Sequence, residues 1–249
     1  MDDSANTNIE VNQKAAIGGT TTQIGQQINN YGMTPEQACQ TAMAMFREYY
    51  PTLRQEALAE VSAIVNRELQ KISHSDIQAP SPKITVPLLQ NASITEETNL
   101  REMYGKLLAG DMNKNLKPMV HPAYIEIINQ MSSDDAKIFR RIIEINDNIP
   151  VVEIIFTDGP NYITRGFPHY FSLYFPDGDP WKTSICIENL SRLNLVKIMR
   201  GELERYNYEQ IKKAPFVVES FKRAKEYATS MKLSIAMSKY AIQLNDFGR

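Results

Sequence analysis

Reactive side chains in this chain are few and dispersed. The three histidines, His74, His121 and His169, lie on separate segments with no carboxylate or cysteine at metal-ligand spacing. His121 stands directly before Pro122, where a helix starts, and reads as a capping or packing residue more readily than a catalytic one. Cys39 and Cys186 are far apart and outside any metal-type pattern, so both read as reduced thiols. Asp177, Asp179 and Glu188 have the outline of a calcium loop. Trp181 and Lys182 occupy positions that require an oxygen ligand and a glycine, and the outline fails. Gly18-Gly19 lacks the GK[ST] ending of a phosphate loop, and no nucleophile elbow occurs. No catalytic, cofactor-binding or metal-binding residue is assigned, and no cofactor is expected. Enzymatic chemistry through residues that sequence does not pair remains an open alternative, a nuclease-like toxic effector being its form.

Cations form the second chemical signal. Lys182, Arg192, Lys197 and Arg200 cluster around a helix that leads directly into a strand, the local pattern of a winged helix with its first wing. They could meet phosphates, and a DNA-binding regulator is therefore an alternative. Glu188, Glu202 and Glu204 lie among them. The net charge of −2 also gives duplex DNA no positive surface to recognise, so a solvated charged face is favoured.

The elements that must position these groups are mostly helices. Thr34 and Gln37 form a capping box with Pro35 at the first helical position. The helix that follows carries Ala38, Ala42, Met45, Phe46 and Tyr49, and Pro51 kinks or restarts it. Leu53, Val61, Ile64, Val65 and Leu69 then make one apolar stripe, suited to an oligomer surface or to docking on the main domain. Residues 75–86, rich in proline, read as a linker. From Pro87 to Phe139 three helices are expected: one capped by Thr95 and stopped at Gly110, one opened by Pro122, and one opened by a Ser132/Asp135 capping box and running inward through Ala136, Phe139 and Ile143. Val151–Thr157 and Tyr170–Phe175 are β-rich, with a turn at Asp158-Gly159-Pro160-Asn161. A candidate hairpin turns about Ser238-Lys239.

From Pro87 the chain carries Pro87-Leu88-Leu89, Asn91-Ala92-Ser93, Asn99-Leu100 running to Leu107-Leu108-Ala109, His121-Pro122, Ile125-Glu126-Ile127-Ile128, and Asp134 to Ile138. In this ordered set the stretch resembles the abortive infection alpha family of bacterial phage-defence proteins. The resemblance continues more faintly in Asn189 to Leu195 and Leu244 to Gly248. It implies a role in phage defence and carries no catalytic residues over.

Residues 1–33 have a different character. Between Ala15 and Pro35 no side chain is charged, and Gln, Asn, Thr and Gly dominate. Such a composition suits either a disordered tail or stacked, self-pairing strands in which Ile17, Gln23, Ile24, Gln27, Ile28, Asn29, Asn30 and Tyr31 would take part. The expected whole is α+β and mainly α. A tail (1–33), a helical arm (34–74) and a linker (75–86) precede a domain at 87–249 with small hairpins and winged-helix character. No apolar run approaches the roughly 18 residues of a membrane span, and the N-terminus lacks a signal-peptide pattern. A cytoplasmic protein that forms homo-oligomers and meets a defence-system partner is the expected functional type.

Overall fold

The computed structural model describes residues 33–49, 55–159, 161–163, 168–176 and 178–248, and divides the chain into two compact units at Glu126/Ile127. The fold is α+β and mainly α, as the periodicities require.

In the described part of the first unit, α1 (Pro35–Tyr49), α2 (Gln55–Leu69), α3 (Pro82–Ile94) and α4 (Thr98–Met112) pack on one another. The capping box at α1 is present: the Thr34 N–H donates to Gln37 Oε1 at 3.0 Å and the Gln37 N–H to Thr34 Oγ1 at 3.2 Å. On α2, Val61, Ile64, Val65 and Leu69 are buried, and α4 is its main neighbour. The helices approach closely because position 105 is glycine. A Cβ there would lie 2.5 Å from Ile64 Cγ2, inside any real contact distance. Arg101 closes the junction: its Nε donates to Glu60 Oε2 at 2.6 Å, and one Nη to the carbonyls of Thr95 and Glu96 at 2.8 and 2.9 Å.

Three sequence expectations change here. Thr95 does not start α4; its hydroxyl donates back to the Asn91 carbonyl at 2.8 Å and it ends α3, while α4 begins at Thr98. Gly110 does not stop α4, which runs to Met112 and is capped by Asn113. Residues 75–86 do not link two bodies. The Gln78 N–H donates to the Met112 carbonyl and the Lys114 N–H to the Asp76 carbonyl, both at 2.9 Å, lacing this stretch to the end of α4. Ile77 is fully buried, Pro82 opens α3, and Pro87 lies inside that helix. Prolines that read as a spacer thus serve as a helix start and an interior residue of one packed unit.

A short helix, α5 (Ala123–Asn129), spans the division between the units. The second unit contains α6 (Ser133–Ile145), β1 (Ile149–Asp158), β2 (Asn161–Ile163), α7 (Pro180–Arg192), β3 (Val196–Arg200), α8 (Pro215–Tyr227) and β4 (Ser234–Leu244). The strands form one antiparallel sheet in the order β2-β1-β4-β3. Gly159, at φ +57°, turns β1 into β2 and lets Asp158 face Asn161. One face of the sheet holds Val152, Ile154 and Phe156, covered by Phe171, the 3-10 turn Tyr208–Lys213 and Val217 of α8.

Here too the sequence misleads in places. Ser238-Lys239 is not a turn: β4 runs straight through it, with Ser238 opposite Glu153 and Lys239 opposite Val152. Neither residue favours the positive φ that a tight hairpin needs. Tyr170–Phe175 supplies only a bridge from Phe171 to Val152. Side chains anchor it further, with the Tyr170 N–H donating to Ser184 Oγ, the Tyr174 N–H to Ser172 Oγ and the Ser172 hydroxyl to the Pro150 carbonyl. On α6 the buried residue of the last turns is Ile142, while Ile143 is exposed. The α7–β3 pattern occurs as expected, but β3 reaches β4 through a 3-10 turn and α8, so no tight hairpin forms the wing.

Candidate functional site

Two features of the second unit offer themselves to other molecules, and α7 contributes to both. Asp179 caps this helix, accepting from the Trp181 N–H at 2.9 Å, and Pro180 occupies its first position. Thr183, Ser184, Cys186, Ile187 and Leu190 are buried and fix its rotation. The C-terminal half is latched to the start of α6. Asp135 belongs to the capping box of α6 and also accepts from Asn189 Nδ2 at 2.9 Å; the same amide nitrogen donates to the Gln130 carbonyl at 3.2 Å.

Fixed in this way, α7 presents Trp181, Ile185, Glu188 and Arg192 outward, at i, i+4, i+7 and i+11. Trp181 is 45% exposed and Ile185 65% exposed. Glu188 meets His169 Nδ1 at 3.2 Å, and His169 stacks on Tyr170. Arg192 donates to Gln130 Oε1 at 2.8 Å and to Asn189 Oδ1.

The second feature is a cleft of about 430 Å³ between α6, the start of α7 and the segment before α7. Lys137 and Arg141 of α6 and Lys182 of α7 line it, with Tyr174, Phe175, Pro176 and Ile138 as apolar wall and Cys186 and Thr183 deeper in. Lys137 pairs with Asp134 at 3.0 Å and holds that carboxyl below its ordinary range. Burial, reinforced by Asp135, pushes the Cys186 thiol up to about 12, so this cysteine is a packing residue and not a nucleophile at neutral pH. Burial also raises the Cys39 thiol, whose sulfur lies 2.6 Å from Ser62 Oγ.

The sequence-derived candidates fall into three groups. Ile17, Gln23, Ile24, Gln27, Ile28, Asn29, Asn30, Tyr31 and Leu53 lie outside the described residues. Val61, Ile64, Val65 and Leu69 are buried against the unit's own helices, so this stripe is docked and is not an open surface. The cations Lys182, Arg192, Lys197 and Arg200 do not share one face. Arg192 is held by its own neighbours, Lys182 lines the cleft, and three-residue spacing on β3 sets Lys197 and Arg200 on opposite sides of the strand. His121 is a cap, as its position before Pro122 implies, with Nδ1 accepting from the Ala123 N–H at 3.1 Å. Among the described residues no three His, Cys, Asp or Glu side chains gather as metal ligands would, and no helix is long and apolar enough to cross a membrane.

Sequence reading missed Trp181 and Ile185 as a surface, and Lys137, Arg141 and Tyr174 altogether. A signal for the first pair exists. On α7 the apolar residues fall on two sides, 186/187/190 and 181/185, and one helix in a single-layer contact can bury only one of them.

A family model described as abortive infection alpha matches residues 53–249. Comparison with curated proteins and with solved structures gives no match.

Proposed function

Since the chain belongs to the abortive infection alpha family, which is tied to bacterial phage defence, we propose that it acts in the cytoplasm by holding other protein chains, a second copy of itself and a defence partner, and not by turning over a substrate. The observation that carries this reading is the outward stripe of α7. Exposed Trp and Ile on a rigid helix, bordered by Glu188 and Arg192, have the chemistry of a protein contact, where aromatic and Arg anchors dominate. A phosphate-reading helix would not place Trp, Ile and Glu at the centre of its exposed face. The uncharged N-terminal composition supports self-pairing as the companion device.

The test is a Trp181→Ser/Ile185→Ser double variant assayed for phage plaquing and for size distribution in solution, beside a chain lacking residues 1–33. Loss of protection with an unchanged thermal midpoint is expected of the double variant, and a shift to smaller species is expected of one variant or both. Full protection and unchanged size in both variants would remove the reading.

A further inference from the structure

Charge and shape in the α6–α7 cleft go beyond protein association and do not depend on it. The cleft volume, about 430 Å³, lies within the roughly 300–1,000 Å³ of small-molecule sites. Its described lining sets three cations against two carboxylates, and both carboxylates are engaged: Asp134 with Lys137, Asp179 with the α7 backbone. Among the described residues no ion pair joins Lys182 to a carboxylate, although its charge helps to lower the Asp134 carboxyl; it stands in the first turn of α7, whose positive end Asp179 caps beside the same space. Among the described residues Arg141 pairs with Glu144 alone, at 3.7 Å. One flank of the cleft is therefore cationic. The other flank is different in kind: Tyr174 is half-buried, Phe175 is buried beside it, and Pro176 and Ile138 extend the apolar wall.

A ligand satisfying both flanks has a flat apolar body joined to an anionic group. We propose that this cleft binds a nucleoside phosphate, the base lying against Tyr174 and Pro176 and the phosphate taken by Lys182 and Arg141 at the start of α7. Inorganic phosphate satisfies one flank only and a free nucleoside only the other. Both therefore bind more weakly than the joined molecule, because each lacks the contacts of its missing half. Lys137, already paired with Asp134, tunes the site and does not anchor it.

Trp181, the single tryptophan of the chain, adjoins Lys182 and reports on it. The full chain would be titrated with AMP, adenosine and inorganic phosphate, with calorimetry and tryptophan emission read in parallel. Saturable binding of AMP at least tenfold tighter than adenosine or phosphate supports the site. Lys182→Gln and Arg141→Gln should each weaken AMP about tenfold while the thermal midpoint of the free protein stays put. Tyr174→Ala should weaken AMP and leave phosphate unchanged. No saturable AMP binding to the wild-type chain, or equal binding by Lys182→Gln, overturns the proposal. The Trp181→Ser/Ile185→Ser chain should still bind AMP by calorimetry, so failure of the protein-contact reading and failure of this one are separable.

Discussion

The two compact units treat their apolar surface in opposite ways. In the first, α2 has a single stripe and buries it: Val61 and Val65 are fully covered and Leu69 nearly so. In the second, α7 has two stripes and buries one, leaving Trp181 and Ile185 in solvent. A one-sided helix is thus poor evidence of an interaction surface, because its own unit readily takes up that side. A helix with a second apolar stripe is better evidence, since packing has already claimed the first. The units differ in charge as well. Arg101 and Glu60 of the first are drawn into a helix junction, whereas Lys182 and Arg141 of the second face a cleft.

The largest test of this comparison is Leu69→Ala. A fully packed leucine cut back to alanine costs about 2–5 kcal/mol, and denaturant unfolding should show that loss independently of protein concentration. A loss that grows on dilution would mean that the stripe packs between chains, and the contrast between the units would fail. Next in size is Ser132→Ala. It removes the acceptor of the Asp135 N–H and one of the donors to Asp135 Oδ2, leaving a buried carboxylate short of a partner at the joint that orients α7. About 1–2 kcal/mol is expected, and since α7 is set by this joint, AMP affinity should fall as well.

Caps and buried faces account for most of what the sequence made legible. Thr34/Gln37 and Ser132/Asp135 are local, reciprocal and spaced by the helix itself, so both were readable. The inward side of α2 was readable because apolar period reports burial directly. What failed depended on distant partners. Thr95 has the right type to begin a helix, and only its bond back to Asn91 shows that it ends one. Ser238-Lys239 lay inside a long strand because β1 offers an equally long partner, a fact that no local window contains. The cleft was illegible for the same reason. Lys137, Arg141, Tyr174 and Lys182 come from three segments, and only the fold brings them together.

A smaller effect separates the units by pH. Asp111 of α4 is buried and accepts from the Ser81 N–H at the start of α3; desolvation raises its carboxyl above the ordinary 3.8 despite that bond. A raised folded value means that the folded state holds its proton more tightly than the unfolded one. The resulting stability is fully present below the unfolded value and is lost as pH rises through the folded value. Asp111→Asn keeps an acceptor for Ser81 and carries no charge, so its unfolding free energy should lose that part of the pH slope above about 3.8. An unchanged slope would show that Asp111 stays ionised in the fold.

The smallest expected change in stability comes from Ile185→Ser, and it decides the comparison most sharply. Ile185 is 65% exposed, so truncating it removes little buried surface. Surface substitutions of this kind stay within about 0.5 kcal/mol. A stripe that exists to fold the protein would cost several times more, as Leu69 should. If Ile185→Ser leaves the denaturation midpoint in place and still lowers protection against phage, the exposed side of α7 serves association. If it destabilises the chain like a core substitution, then Ile185 is packed in solution, and α7 differs from α2 only in which element covers it.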